Sequence, residues 1–319
     1  MKKILASPLC KVLASAAILI IGALYFVLFR LDASSQPIDK TLVPEATGAA
    51  FASRPQVILV SYAHGPDVFH KNQNGMTQSA VGKGFDAFIN YKRGHLEQAF
   101  YEKNKSIMDE RIGAGYWLWK PYVILKTLNS TPDGTIVVYA DSGVVFEKPI
   151  TPLLDMMKDK DILLSENGKP VPIRYHLKME AREILKIGKD DPVLDESNMW
   201  AFFLMVRNTP KTRAFIEEWL RLCQIKDVLT NEPFDRKIQD PQMGRHLHDG
   251  PLLSLVAARH KDMITVVRKN ILRTDYGVTN FHRHPEDEFK SSLFAAAGVP
   301  TWLSWLLYNN PLFTFVRGM

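Results

Sequence analysis

The run IVVYADSG (residues 136–143) carries four residues suited to a buried strand into Ala140, Asp141, Ser142 and Gly143. A carboxylate is costly to bury without a partner, yet the carboxyl ends of strands in open α/β sheets are where ligands bind. Asp141 is therefore a candidate ligand for a divalent cation that neutralises a diphosphate, because hard oxygen donors suit Mg²⁺ or Mn²⁺. The alternative is a turn cap accepting N–H bonds from Gly143 or Val144. His246, His248 and Asp249 form a second cluster, an H-x-H-D loop with imidazole and carboxylate donors close in sequence. If this loop folds over the sheet edge, one histidine and Asp141 share a metal. Asp249 equally suits the N-cap of the following helix, and His246 alone reads as a surface residue. Lys120, between Trp119 and Pro121 at a helix start, suits a phosphate; it also suits a lysine snorkelling off an aromatic cluster. Trp117 and Trp119 read as core.

The elements that must position these residues are a repeated strand–helix alternation. PQVILVSYAHG (55–65) reads as a buried strand and turn, GFDAFINY (84–91) as a second strand, and HLEQAFYEKNKSIM (95–108) as a helix. Pro121 suits the first turn of the next helix, where its missing N–H costs nothing. Pro132-Asp133-Gly134 turns the chain into the strand that ends at Asp141. DILLSENG (161–168) and AFFLMVRN (201–208) read as further strands, and Thr209-Pro210 opens a helix with an apolar stripe from Phe215 to Cys223. After a polar loop, Asp249-Gly250-Pro251 starts another helix, and MITVV (263–267) reads as a last strand. Strands alternating with helices imply an α/β fold, a largely parallel sheet covered on both faces.

The chain of 319 residues has 46% hydrophobic and 23% charged residues, the composition of a globular α/β domain with appendages. Its net charge of +6 comes from Lys and Arg scattered among acids, which disfavours a nucleic-acid partner. Lys2, Lys3 and Lys11 precede an uncharged run, Val12 to Phe29. As a helix such a run spans about 27 Å, enough to cross a membrane. Arg30 gives a poor cleavage context, so an uncleaved anchor is expected rather than a signal peptide. The lysines keep the N-terminus cytoplasmic. The expected organisation is a cytoplasmic tail (1–11), an anchor (12–29), a flexible stem (30–54), a catalytic domain (55–290) and an apolar C-terminal helical tail (291–319). Cys10 and Cys223 lie on opposite sides of that membrane, so no disulfide is expected. There is no GxGxxG, GxxxxGK[ST], CxxC or GxSxG pattern, which disfavours dinucleotide, P-loop, zinc-ribbon and serine-hydrolase chemistry.

GAGYWLWKPYVILKTL, a short turn, IVVYADSG, and later FIEEWLRLC before HLHDGPLLSL resemble a group of glycosyltransferases with the GT-A nucleotide-diphospho-sugar fold. The likeness runs in order over residues 56–270. It implies a Rossmann-like, mostly parallel sheet binding a nucleotide-sugar donor, UDP-sugar favoured, at its edge, with a glycan, lipid or protein as acceptor. It places Asp141 at the last acid of the D-x-D motif, against metal or donor ribose. It puts Lys120, Tyr139, Ser142 and Gly143 around the donor phosphates, and His248 and Asp249 against donor phosphate, metal or sugar. Asp141 and Asp249 are the implied catalytic residues; Asp141 and His248 are the implied ligands of Mn²⁺ or Mg²⁺. Two departures stand out: Tyr139 takes the first acid position of D-x-D, and Gly250 replaces a glutamine after the His-Asp pair. The expected activity is hexose transfer by a single-pass membrane enzyme, in the Golgi of a eukaryote or the inner membrane of a bacterium. Its rivals are a binding scaffold that has lost catalysis and, more remotely, a phosphate hydrolase with an aspartyl nucleophile.

Overall fold

The computed structural model describes residues 54–280. The expected anchor, the stem up to residue 53, Cys10 and the apolar tail lie outside the described residues. Among the described residues, no helix is long and apolar enough to cross a membrane.

The described residues form eight strands in chain order: β1 (Val57–Tyr62), β2 (Ala87–Tyr91), β3 (Ile136–Ala140), β4 (Val144–Phe146), β5 (Ile162–Glu166), β6 (Met199–Arg207), β7 (Ile264–Arg268) and β8 (Val278–Asn280). The main sheet is ordered β2-β1-β3-β6-β5-β7, and β4 pairs with β8 in a small separate ribbon. β1 is parallel to β2 and β3, and β5 to β7, while β6 runs antiparallel to both its neighbours. All residues of β1 and β3 are buried. Their near-continuous apolar runs reflect burial on both faces, as strands inside an α/β sheet require.

Alternation along the strands then divides the core in two. Ile58, Val60, Tyr62, Val137 and Tyr139 face one side, with Trp219, Leu252 and Val256 in the same cluster. Val57, Leu59, Ile136, Val138 and Ala140 face the other, against Met76 and Ala80. The helices Trp119–Asn129, Pro210–Cys223 and Asp249–Arg259 cover the first face. Pro121 sits in the first turn of its helix, as expected. Thr209 caps the Pro210 helix, its hydroxyl accepting from the Thr212 N–H at 3.2 Å.

Three local departures from the sequence reading have physical causes. The helix Asp67–Ala80 was not anticipated, because DVFHKNQNGMTQSA shows almost no apolar period and buries only Val68, Gln73, Met76 and Ala80. Gln73 stands in for an apolar anchor by donating to the Ser61 hydroxyl (2.9 Å) and the Tyr91 carbonyl (3.1 Å). The helix expected over 95–108 breaks at Asn104 into Gln98–Lys103 and Lys105–Met108. The buried Asn104 amide donates back to the Phe100 carbonyl at 2.8 Å, a local bond that competes with the helical ladder. Finally, β6 is antiparallel, which a pattern of apolar residues does not encode.

Candidate functional site

β3 follows the switch in strand order, with β2 on one side of β1 and β3 on the other. In open α/β sheets the crevice beyond such a switch point is the usual ligand site, and Asp141 stands there, one residue past Ala140. Its main-chain N–H donates to the Phe202 carbonyl at 2.8 Å, and its carbonyl accepts from Val144. The side chain does something different. Oδ1 accepts a hydrogen bond from the Tyr139 hydroxyl at 2.7 Å and lies 3.4 Å from the Lys120 ammonium. Residues i and i+2 of a strand share a face, so Tyr139 is placed to donate to Asp141. Tyr139 itself is completely buried, and burial followed by the charge of Asp141 pushes its phenol well above the ordinary value, so it stays protonated.

Lys120 joins this acid to a second one. Its ammonium lies 3.0 Å from Asp249 Oδ2 and donates to the Ala201 carbonyl at 2.9 Å. Asp249 Oδ2 makes no hydrogen bond of good geometry, so the contact to Lys120 is an ion pair. Burial acts against the lysine's charge, but Asp141 and Asp249 outweigh it and hold its pKa above the ordinary value. For Asp249 burial wins over the ammonium, and its carboxyl is pushed up. Asp249 is the first residue of its helix, and the N-cap position expected for it is taken by His248. Its carbonyl is held by the Trp219 indole N–H at 3.0 Å. The side chain of Asp141 is 17% exposed, against 4% for Lys120 and 9% for Asp249. Asp141 is the open end of a buried acid–lysine–acid chain. Lys120, expected beside the donor phosphates, is buried with its ammonium between Asp141 and Asp249. Ser142 is buried beside Asp141.

His248 approaches from the other motif. It is buried and holds φ of 57°, and Ala114 (52°), Tyr116 (52°) and Trp117 (59°) also lie in the left-handed region. The rings meet: Trp117 stacks on His248 with centroids 5.4 Å apart, and Tyr116 meets it edge-on at 4.9 Å. Strained non-glycine residues cost about 1–3 kcal/mol each and gather at functional sites. Gly115 is required in that turn, since with φ of 101° an added Cβ would stand 2.9 Å from the Met108 Cα. The His248 Nδ1–H donates to the Leu229 carbonyl at 3.0 Å, leaving Nε2 as the acceptor. Burial pushes its pKa down to about 4, so the ring is neutral near pH 7. His246, expected at the surface, is instead buried, with its Nε2 3.0 Å from the Val228 carbonyl and its Nδ1 3.2 Å from that of His176. Trp119 is core as expected, stacked on Tyr62 at 4.1 Å.

Asp141 and His248 were expected to share a divalent ion; Asp141 is engaged through Oδ1 by Tyr139 and Lys120, and His248 through Nδ1 by the Leu229 carbonyl. No group of three or more His, Cys, Asp or Glu side chains stands together among the described residues. The space between the two aspartates is held by an ammonium, whose charge would repel a metal placed there. The sequence reading missed this pairing, because Lys120 and Asp249 are far apart in the chain. It also missed His64, just beyond β1 on the same sheet edge, which burial followed by the charge of Arg93 pushes down to about 4.

No protein-family model matches the chain, and no curated protein matches it. Among solved structures, apo mouse xyloside xylosyltransferase 1 is similar at 10% identity, over 67% of this chain and 85% of that one, with a TM-score of 0.38. The galactosyltransferase LgtC in complex with donor and acceptor sugar analogues is similar at 15% identity, over 66% and 73%, with a TM-score of 0.36. The mannosyltransferase Ktr4p from S. cerevisiae is similar at 13% identity, over 79% and 78%, with a TM-score of 0.37. These neighbours are glycosyltransferases, and at such identities and scores the likeness assigns no chemistry to this chain.

Proposed function

We propose that this protein is a membrane-anchored glycosyltransferase that moves a hexose from a nucleoside-diphosphate sugar, a UDP-sugar foremost, to a hydroxyl of a glycan, lipid or protein. The observation that carries the reading is the buried Asp141–Lys120–Asp249 chain at the carboxyl edge of the sheet, with Asp141 as its partly open end. An ionised carboxylate only accepts hydrogen bonds, so Asp141 suits the hydroxyls of a ribose or sugar. Tyr139 and Lys120 hold its Oδ1 in place. Preorganised charge of this kind does not have to reorient as the donor bond breaks. Anchoring through residues 12–29 would hold the site near a membrane-borne acceptor, in the Golgi or at a bacterial inner membrane.

The test is hydrolysis and transfer of UDP-hexoses by the full-length protein in detergent. Wild type is expected to turn over at least one donor, and Asp141→Ala to lose that activity while still folding, with a lowered thermal midpoint because the Tyr139 hydroxyl and the Lys120 ammonium lose a partner. Unchanged turnover in Asp141→Ala removes that residue from the mechanism. Because an ammonium stands between the aspartates, EDTA is expected to leave turnover unchanged. Loss on EDTA, restored by Mn²⁺, would place a metal at the site after all. A second reading, a sugar-nucleotide-binding scaffold without catalysis, is favoured by one observation. The first acid of D-x-D is a tyrosine sealed in the core. Calorimetric binding of UDP without turnover of any donor would select it.

A further inference from the structure

Lysines withdrawn from water in this fold are compensated by polar partners. Lys120 has two carboxylates and a carbonyl. Lys178 donates to the carbonyls of Thr230 (2.7 Å), Asn231 (3.3 Å) and Pro233 (3.0 Å). Lys269, the residue directly after β7, has neither kind of partner among the described residues. Its ammonium lies 4.5 Å from the ring centre of Trp200 and 5.6 Å from that of Phe202. It is half-buried, and burial, with no acid to oppose it, pushes its pKa down. Glu166, at the end of the adjacent β5, is engaged elsewhere: it accepts from the Ser197 hydroxyl at 2.6 Å and lies 3.5 Å from Arg268 Nε.

The position matters as much as the chemistry. β3 and β7 point the same way, so Lys269 and Asp141 both follow the carboxyl end of a strand, and Trp200 lies near the start of antiparallel β6 at that same edge. β7 is three strands from β3, about 14 Å at about 4.8 Å per strand. The Lys269 side chain reaches back toward β6, the neighbour of β3. An ammonium lying over an indole face, with no carboxylate paired to it among the described residues, suits a sugar ring bearing a negative charge: the ammonium takes the anion and the part of the half-buried indole it leaves uncovered meets the ring.

We propose that Lys269 and Trp200 form an acceptor subsite for an anionic sugar, one carrying a carboxylate or a phosphate. The proposal rests on the transferase reading above and names its acceptor class. The experiment is ligand-observed NMR on the full-length protein in detergent. Its probes are methyl β-D-glucuronide, glucose 6-phosphate, neutral methyl β-D-glucoside, and UDP for the donor side. Both charged sugars are expected to bind about tenfold more tightly than the glucoside, the margin of one charge-assisted contact. Lys269→Gln should erase that margin and leave UDP affinity unchanged, while Lys269→Arg should keep it. Equal affinities for charged and neutral sugars in wild type overturn the proposal. So does a margin that survives Lys269→Gln, which would mean that the lysine only rests its stem on the aromatic rings. If Lys269→Gln weakens UDP and not the sugars, the cation serves the donor diphosphate and the acceptor assignment is overturned. Failure of wild type to bind UDP defeats the transferase reading, and the sugar margin still decides the subsite.

Discussion

Lys120 and Lys178 are both buried, at 3% and 0% exposure, and their surroundings could hardly differ more. Lys178 is wrapped by the main-chain carbonyls of Thr230, Asn231 and Pro233; among the described residues no carboxylate forms an ion pair with it, and Glu180, Asp227 and Glu232 act on it only from a distance. It pins the segment that follows Leu229, whose carbonyl in turn orients His248. Lys120 is clamped between two carboxylates, one of them partly open to solvent. Carbonyl dipoles satisfy an ammonium's hydrogen-bonding needs but hold no net charge against it, so burial lowers the Lys178 pKa. Two aspartates more than reverse that effect at Lys120. The first lysine holds the fold together; the second sets the charge of a site.

That contrast can be broken by experiment. Lys120→Met should be the more damaging change. It strands the buried Asp249 and leaves Asp141 with one fewer partner, and breaking a buried ion pair from one side costs about 3–5 kcal/mol. Urea unfolding measures it, and Lys120→Met/Asp249→Asn should recover part of the loss. Lys178→Met removes a donor from three carbonyls, of which only that of Thr230 belongs to a buried residue, and one unsatisfied buried acceptor costs about 1–3 kcal/mol. Equal losses at the two positions would mean that the aspartates add nothing beyond ordinary hydrogen bonding.

The smallest expected effect is also the most specific, because the two lysines differ in sign. A lysine whose folded pKa is raised contributes stability that is complete below the unfolded value of 10.5 and is lost as pH rises through the folded value. Lys120 therefore weakens the fold at the alkaline end. Lys178, whose folded pKa is lowered, contributes stability that is present above 10.5 and is lost as pH falls through its lower folded value. As pH rises above 10.5, the stability difference between wild type and Lys120→Met should shrink. The corresponding difference for Lys178→Met should grow as pH rises toward 10.5. Parallel pH profiles for the two variants would erase the distinction.

Some of the site was legible before the fold. The strand IVVYA, the aspartate after it, and the helix starts at Pro121, Pro210 and Asp249 are local signals, and all of these elements form. The position of Tyr139 two residues before Asp141 also implied a shared face, although its hydroxyl was read as a lost acid rather than as a donor. The helix Asp67–Ala80 escaped because a buried glutamine, held by hydrogen bonds, takes the place of an apolar residue in its stripe.

Sequence alone determined the six strands of the main sheet and the helices that begin near Pro121, Pro210 and Asp249, since strand periodicity, capping residues and proline placement act over a few neighbouring positions. It also determined that a carboxylate ends β3. Tertiary structure alone decided that Lys120 would lie between Asp141 and Asp249, that β6 would run against its neighbours, and that the Lys269 ammonium would lie over the Trp200 ring. Those outcomes depend on how separate segments dock. Docking is governed by the summed burial of whole faces and by the desolvation of charges, which no short window of residues contains.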